Sequence, residues 1–314
     1  FLHWMNTRHP EFISLLTEML DRKQIELLGG GYYEPAFNII PQADRISQTE
    51  LQTNLIRQIF GKRVRGCLLP SMLWDPSLIP AFASSGIEYT FLSCNQFSLA
   101  RVATSDMVSP FITEEQGRVL SVFPLYMHKD LPNPFKEYPG FLKALSLLAS
   151  TDEMRIISII PEIHTVLDDR YEQKERTFEG FFKNILAEQD LIQSILPARA
   201  MKLPFSVKKA FFPNSAEAHL MACASNTAAK KGNNENRGRD KKNNTSNNFT
   251  VSGILPRQFL LWYPASMNIY SKMNHMHVLV NQLRGDKARK QNAREEILKA
   301  QGLCNFISCS GHGI

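Results

Sequence analysis

A chain of 314 residues that is 43% hydrophobic and 21% charged can bury a core of one large or two small domains, which excludes disorder as its main state. No apolar run reaches the roughly 18 residues that a helix needs to cross a bilayer. The formal charge of +6 is concentrated between 226 and 250, where Lys230, Lys231, Arg237, Arg239, Lys241 and Lys242 face only Glu235 and Asp240. Five cysteines without a C-x-x-C pair argue against a zinc ribbon or disulfide framework and for a reducing cytoplasm.

Apolar residues at helical spacing predict an amphipathic helix over 10–23, with Pro10 suited to its first turn. The apolar run 25–28 reads as a buried strand opening into Gly29-Gly30-Gly31-Tyr32-Tyr33-Glu34-Pro35. A helix over 48–60, a strand over 66–69, the loop Pro70-Ser71-Met72-Leu73-Trp74-Asp75-Pro76 and a short helix over 77–85 repeat the plan. Further strands are expected at 88–93, 119–123 and 156–160. Alternating strands and helices predict a parallel sheet with helices outside it, and a succession of such units predicts a barrel.

After Pro161 the strand signals thin out, and helices are expected over 178–186, 270–283 and 293–300. The segment 225–250 is rich in Asn and Lys and almost devoid of apolar residues, so it is read as a disordered insertion. No aromatics interleave with its charges, and it is not read as a nucleic-acid or membrane contact. The division expected is a partial barrel over 1–170, lacking its first strand, and the remainder of the barrel with a helical region over 171–314.

In a parallel barrel the reactive residues follow the strands. Glycines let the backbone approach a ligand, and Tyr32, Tyr33 and Glu34 offer aromatic faces and a carboxylate suited to a polyhydroxylated ring. A tight turn with surface tyrosines fits the same residues. Ser71 without a nearby base reads as a loop residue, and Glu162 and His164 after the 156–160 strand read equally as surface groups.

The stretch HPEFISLLTEMLDRKQIELLGGGYYEPAFNIIPQADRISQ resembles glycoside hydrolase family 57, the α-amylases and 4-α-glucanotransferases. The similarity continues through GCLLPSMLWDPSLIPAFASSGIEYTFL, PFITEEQGRVLSVFPL, LLWYPASMNIYSKM and EEILKAQ. It implies an incomplete seven-stranded (β/α) barrel with a C-terminal helical region, a retaining mechanism, an α-glucan or maltooligosaccharide as partner, and neither metal nor cofactor.

The same resemblance places Ser71 where the family motif T-E-R-V-W-x-P has its nucleophilic Glu, with Trp74 and Pro76 matching. It places Glu162 at the position of the acid/base Asp and His164 at the next acidic position. Tyr32, Tyr33, Glu34, Trp74 and His164 become expected substrate contacts. The C-terminal stretch QGLCNFISCSGHGI departs from the family's C-N-D-A-Y-W-H-G type motif, and the chain starts after the family's first motif, so the resemblance is to a degenerate, truncated member.

A neutral hydroxyl cannot replace the carboxylate that attacks the sugar carbon. The expected function is therefore α-glucan binding with impaired catalysis. An active retaining enzyme using Glu162 as acid/base, and a non-enzymatic interaction protein or decaying gene product, stand as alternatives.

Overall fold

The computed structural model describes residues 2–126, 131–135, 137–150, 153–160, 174–205, 208–216, 260 and 264–307, so the basic insertion lies outside the described residues. Helices α1 (Leu2–Arg8) and α2 (Pro10–Asp21) lead into β1 (Leu28–Gly29), which passes through the tyrosine loop into α3 (Gln42–Phe60). Next come β2 (Gly66–Cys67), a 3-10 turn (Pro70–Met72), α4 (Leu78–Ser84), β3 (Tyr89–Ser93) and α5 (Cys94–Leu99). The hairpin β4 (Phe111–Glu115) and β5 (Arg118–Tyr126) precedes α6 (Tyr138–Leu148) and β6 (Ser158–Ile159). The rest comprises α7 (Lys174–Ala187), α8 (Pro197–Ala200), β7 (Lys208–Lys209), α9 (Pro264–Gln282), α10 (Lys287–Ala300) and α11 (Leu303–Ile307).

Among the described residues the strands form one sheet of seven, ordered β1-β2-β3-β5-β4-β7, with β6 also on β5. Every pairing is parallel except the β4–β5 hairpin. Its two-residue loop, Gln116-Gly117, has φ values of 53° and 72°. Two left-handed residues match the twist of flanking strands, which is why so short a turn closes the hairpin.

All five residues of β3 are buried, as a parallel strand covered on both faces requires. On one face Leu92, Val122, Phe97, Phe82, Leu78 and Ile79 pack in the core formed with the helices. The opposite face carries Tyr89, Phe91, Phe123 and Leu125 with Met72 and Ala200. The rings of Tyr89, Phe91 and Phe123 lie with centroids 5.5–5.8 Å apart. Their neighbour strand makes room for them with a glycine: a Cβ on Gly66 would sit 2.2 Å from the Tyr89 ring. Gly66→Ala is expected to lower stability by about 1–3 kcal/mol through overpacking, read from the urea midpoint. An unchanged midpoint would show that the ring moves aside freely.

The helix expected at 48–60 begins six residues earlier, at Gln42. Its first half buries Asp44, Arg45, Gln48 and Thr49 instead of apolar side chains, so hydrophobic periodicity does not mark it. Arg45 donates to the carbonyls of Ile40, Asn38 and Ser77, tying the helix start to the entrance of α4. Strands β4 and β7 were not among the sequence expectations, because β7 is two lysines and β4 ends in Thr-Glu-Glu.

Candidate functional site

Parallel neighbours place the loops after β1 and β2 at the same end of the sheet. In the first, glycines permit contacts that no side chain would: a Cβ on Gly31 would lie 2.0 Å from Cδ of Pro35, and one on Gly30 would lie 3.2 Å from the Leu68 carbonyl oxygen. The loop then rises through Tyr32, Tyr33 and Glu34, whose φ of 48° is left-handed for a non-glycine residue.

That strained loop is held from two directions. From α3, the Gln48 carbonyl accepts the Tyr32 N–H at 3.1 Å, and Gln48 Oε1 accepts the Tyr33 N–H at 3.1 Å. From the C-terminal helices, the Leu303 N–H donates to the Glu34 carbonyl at 2.9 Å and the Gln301 carbonyl accepts the Ala36 N–H at 3.0 Å. Gln48 joins the two sides, since its Nε2 donates to the Leu298 carbonyl at 2.8 Å and to Gln301 Oε1 at 3.3 Å.

Gln301 in turn donates to Asp44 Oδ2, which lies 2.8 Å from His277 Nδ1. His277 Nε2 and Asn281 Nδ2 are 2.9 Å apart. Gln48 and Gln301 are fully buried, so this network is strong only while every member is satisfied.

The tyrosines diverge in role. Tyr33 donates its hydroxyl to Glu295 Oε1 at 3.1 Å, and burial followed by that carboxylate pushes its phenol above the usual range. Hydrogen bonds from Lys299 and then Tyr33 hold Glu295 below the usual carboxylate range. Tyr32 meets Tyr33 edge-on with centroids 4.8 Å apart and keeps 36% of its surface open to solvent. Glu34 is exposed beside it. The result is a braced loop that presents one aromatic ring and one carboxylate.

Beyond β2, Ser71 and Met72 sit in the 3-10 turn with φ values of 48° and 50°. Consecutive left-handed non-glycine residues are costly and persist where the surroundings impose them, as functional sites often do. Here Gln96 imposes it: its Nε2 donates to the Met72 carbonyl at 2.9 Å and to Ser215 Oγ at 2.9 Å, while its Oε1 accepts the Ser93 N–H at 3.0 Å. Ser71 is partly buried and forms no hydrogen bond to a basic side chain among the described residues; a serine hydroxyl needs such a base to act as a nucleophile. Asp75 is engaged at both oxygens, Oδ1 by the Ser77 N–H and hydroxyl and Oδ2 by Asn214 Nδ2 at 2.6 Å.

Trp74 corrects an expectation. It is among the expected substrate contacts, yet it is 0% exposed and belongs to the core. Its indole N–H donates to the Phe212 carbonyl at 2.9 Å, and its backbone forms a two-way bridge with Ser215. No ring face remains for a ligand. The expected acid/base Glu162 and the contact His164 lie outside the described residues.

Residues that sequence reasoning missed are the bracing ones: Asp44, Gln48, His277 and Gln301. The sole trace in the chain is a run of polar residues at helix positions where apolar ones would be expected. Among the described residues no cluster of His, Cys, Asp or Glu could hold a metal ion, and no helix is long and apolar enough to cross a membrane. Burial pushes the Cys67 thiol up to about 12, leaving it unreactive at neutral pH.

The family model for Glycosyl hydrolase family 57 matches residues 1–213. Alpha-amylase 1 of Dictyoglomus thermophilum is 28% identical over 306 residues, covering 96% of this chain and 44% of the relative. The alpha-amylase of Pyrococcus furiosus is 32% identical over 155 residues, which is 49% of this chain and 24% of that protein. The chain thus spans less than half the length of these relatives.

Among solved structures, the 4-alpha-glucanotransferase from Thermococcus litoralis superposes with a TM-score of 0.73 at 22% identity, covering 97% of this chain and 48% of that one. The branching enzyme from Pyrococcus horikoshii gives 0.65 at 12% identity, covering 98% and 65%. These likenesses establish a shared fold, and with the family match over most of its length, the chain belongs to glycosyl hydrolase family 57.

Proposed function

We propose that this chain binds α-glucans at the end of the sheet where the β1 and β2 loops meet, and that its capacity to cleave them is impaired. What supports the reading is the braced loop presenting Tyr32 and Glu34 to solvent at the end of the sheet that also carries Ser71, the residue the family resemblance puts at the nucleophile position. A sugar ring can stack its C–H face on Tyr32 while its hydroxyls donate to Glu34. Neither contact needs a nucleophile.

Retaining hydrolysis requires two carboxyl groups about 5–5.5 Å apart. With Ser71 at the attacking position, Asp75 committed to capping and Glu162 as the acid/base candidate, binding without efficient turnover is the expected balance. A reducing cytoplasm, expected from five cysteines without a C-x-x-C pair, is the proposed setting.

Tyr32→Ala tests the binding face. Losing one aromatic stacking surface is expected to weaken maltoheptaose binding about tenfold, or ~1.4 kcal/mol, by calorimetric titration with no change in the unfolding midpoint. Unaltered affinity in that variant would remove the loop from the site.

A further inference from the structure

Asp44 lies in the first turn of α3, where a carboxylate ordinarily faces free backbone N–H groups and solvent. Here it is buried, and its Oδ2 takes side-chain donors from two distant elements instead: Nε2 of Gln301, between α10 and α11, and Nδ1 of His277 on α9 at 2.8 Å. A buried carboxylate is costly unless donors meet it, so this junction needs a reason to persist.

The reason lies in what Gln301 joins. One jaw of a clamp on the Tyr32–Glu34 loop is α3, where Gln48 Oε1 accepts the Tyr33 N–H at 3.1 Å. The other is the 301–303 backbone, where the Gln301 carbonyl accepts the Ala36 N–H at 3.0 Å, the Leu303 N–H donates to the Glu34 carbonyl at 2.9 Å, and Gly302 bridges Pro35. The Gln301 side chain fastens one jaw to the other, with Nε2 on Asp44 and Oε1 accepting from Gln48 Nε2 at 3.3 Å. A carboxylate offers acceptors alone, so Asp44 fixes which end of the Gln301 amide faces Gln48. The remaining tie to the loop, Tyr33 on Glu295, ends on a side chain that is 47% exposed, where water competes for the bond.

We propose that Asp44 and Gln301 are the positioning residues for glucan binding, setting the spacing of the two jaws and through it the presentation of Tyr32 and Glu34. Neither touches the sugar. The assignment rests on the glucan reading of that loop.

A polarity swap tests it, because Asp, Asn, Glu and Gln keep the packing nearly constant. Gln301→Glu opposes two buried carboxylates and should part the jaws. In the sugar-free protein above neutral pH, amide exchange at Tyr33 and Ala36 is expected to quicken at least about tenfold while Ile56, inside α3, keeps its protection, and maltoheptaose affinity should fall at least about tenfold. Adding Asp44→Asn leaves one carboxylate facing one amide and should return exchange and affinity to within about threefold of the parent. His277→Ala, a change at a partly exposed site that removes one donor to Asp44, should shift both readouts in the same direction by a smaller factor. Parent-like exchange in Gln301→Glu, faster exchange with unaltered affinity, or a double variant no better than Gln301→Glu would each overturn the proposal. Exchange is read without sugar, so a parent that binds no maltoheptaose defeats the glucan reading and leaves the clamp separately tested.

Discussion

Replacing Trp74 by alanine is expected to cost about 3–5 kcal/mol of stability, the range for emptying a large aromatic from a packed core. The residue is fully buried, and its removal also leaves the Phe212 carbonyl without the indole donor that now satisfies it. A protein of ordinary stability has only about 5–15 kcal/mol in total, so the variant should be largely unfolded in mild denaturant at which the parent is native. Urea unfolding followed by far-ultraviolet circular dichroism measures this directly. Trp74→Phe should fall between the two, because it keeps most of the apolar volume and loses the hydrogen bond. A loss below about 1 kcal/mol in Trp74→Ala would contradict the core role and reopen the stacking role.

Ser71→Glu carries the largest expected change in rate. The substitution places a carboxylate at the position after β2 that the family resemblance assigns to the nucleophile, on a backbone already left-handed at φ 48°. Glu34 adopts the same φ in this chain, so glutamate is sterically admissible there. Catalytic groups that act as a unit each contribute orders of magnitude, and restoring one is expected to raise maltoheptaose cleavage at least about 100-fold over the parent. Released reducing ends, counted over hours, provide the readout. No gain in a folded variant would mean that Ser71 is not what limits the reaction.

The parts of the fold visible in the sequence are those in which local pattern and tertiary burial agree. Helix α2 and strands β1, β2, β3, β5 and β6 fall on apolar runs or helical spacing, and the glycine stop after β1 marks the loop. Helix α5 is announced only by its capping box, in which Ser93 and Gln96 bond reciprocally, a signal easily lost beside the strong strand before it. The two-residue strands and the polar start of α3 owe their form to neighbours and leave no periodic trace.

For the site, the Gly-Tyr loop was readable because glycines, aromatics and a carboxylate are contiguous. Its bracing was not, because Gln48 meets Leu298 and Gln301 across 250 and 253 residues of chain. Trp74 shows the opposite error: an aromatic beside the reacting position looks like a sugar platform until Phe212 and Ser215, about 140 residues later, close over it. Local chemistry gave the right residue type and the wrong face.

Incubating the purified chain with maltoheptaose, and measuring bound sugar and product chain lengths in the same sample, tests the central claim most directly. Saturable binding with the heptasaccharide recovered intact is the predicted result. Shorter and longer chains formed at enzymatic rates, or no binding at all, would contradict it.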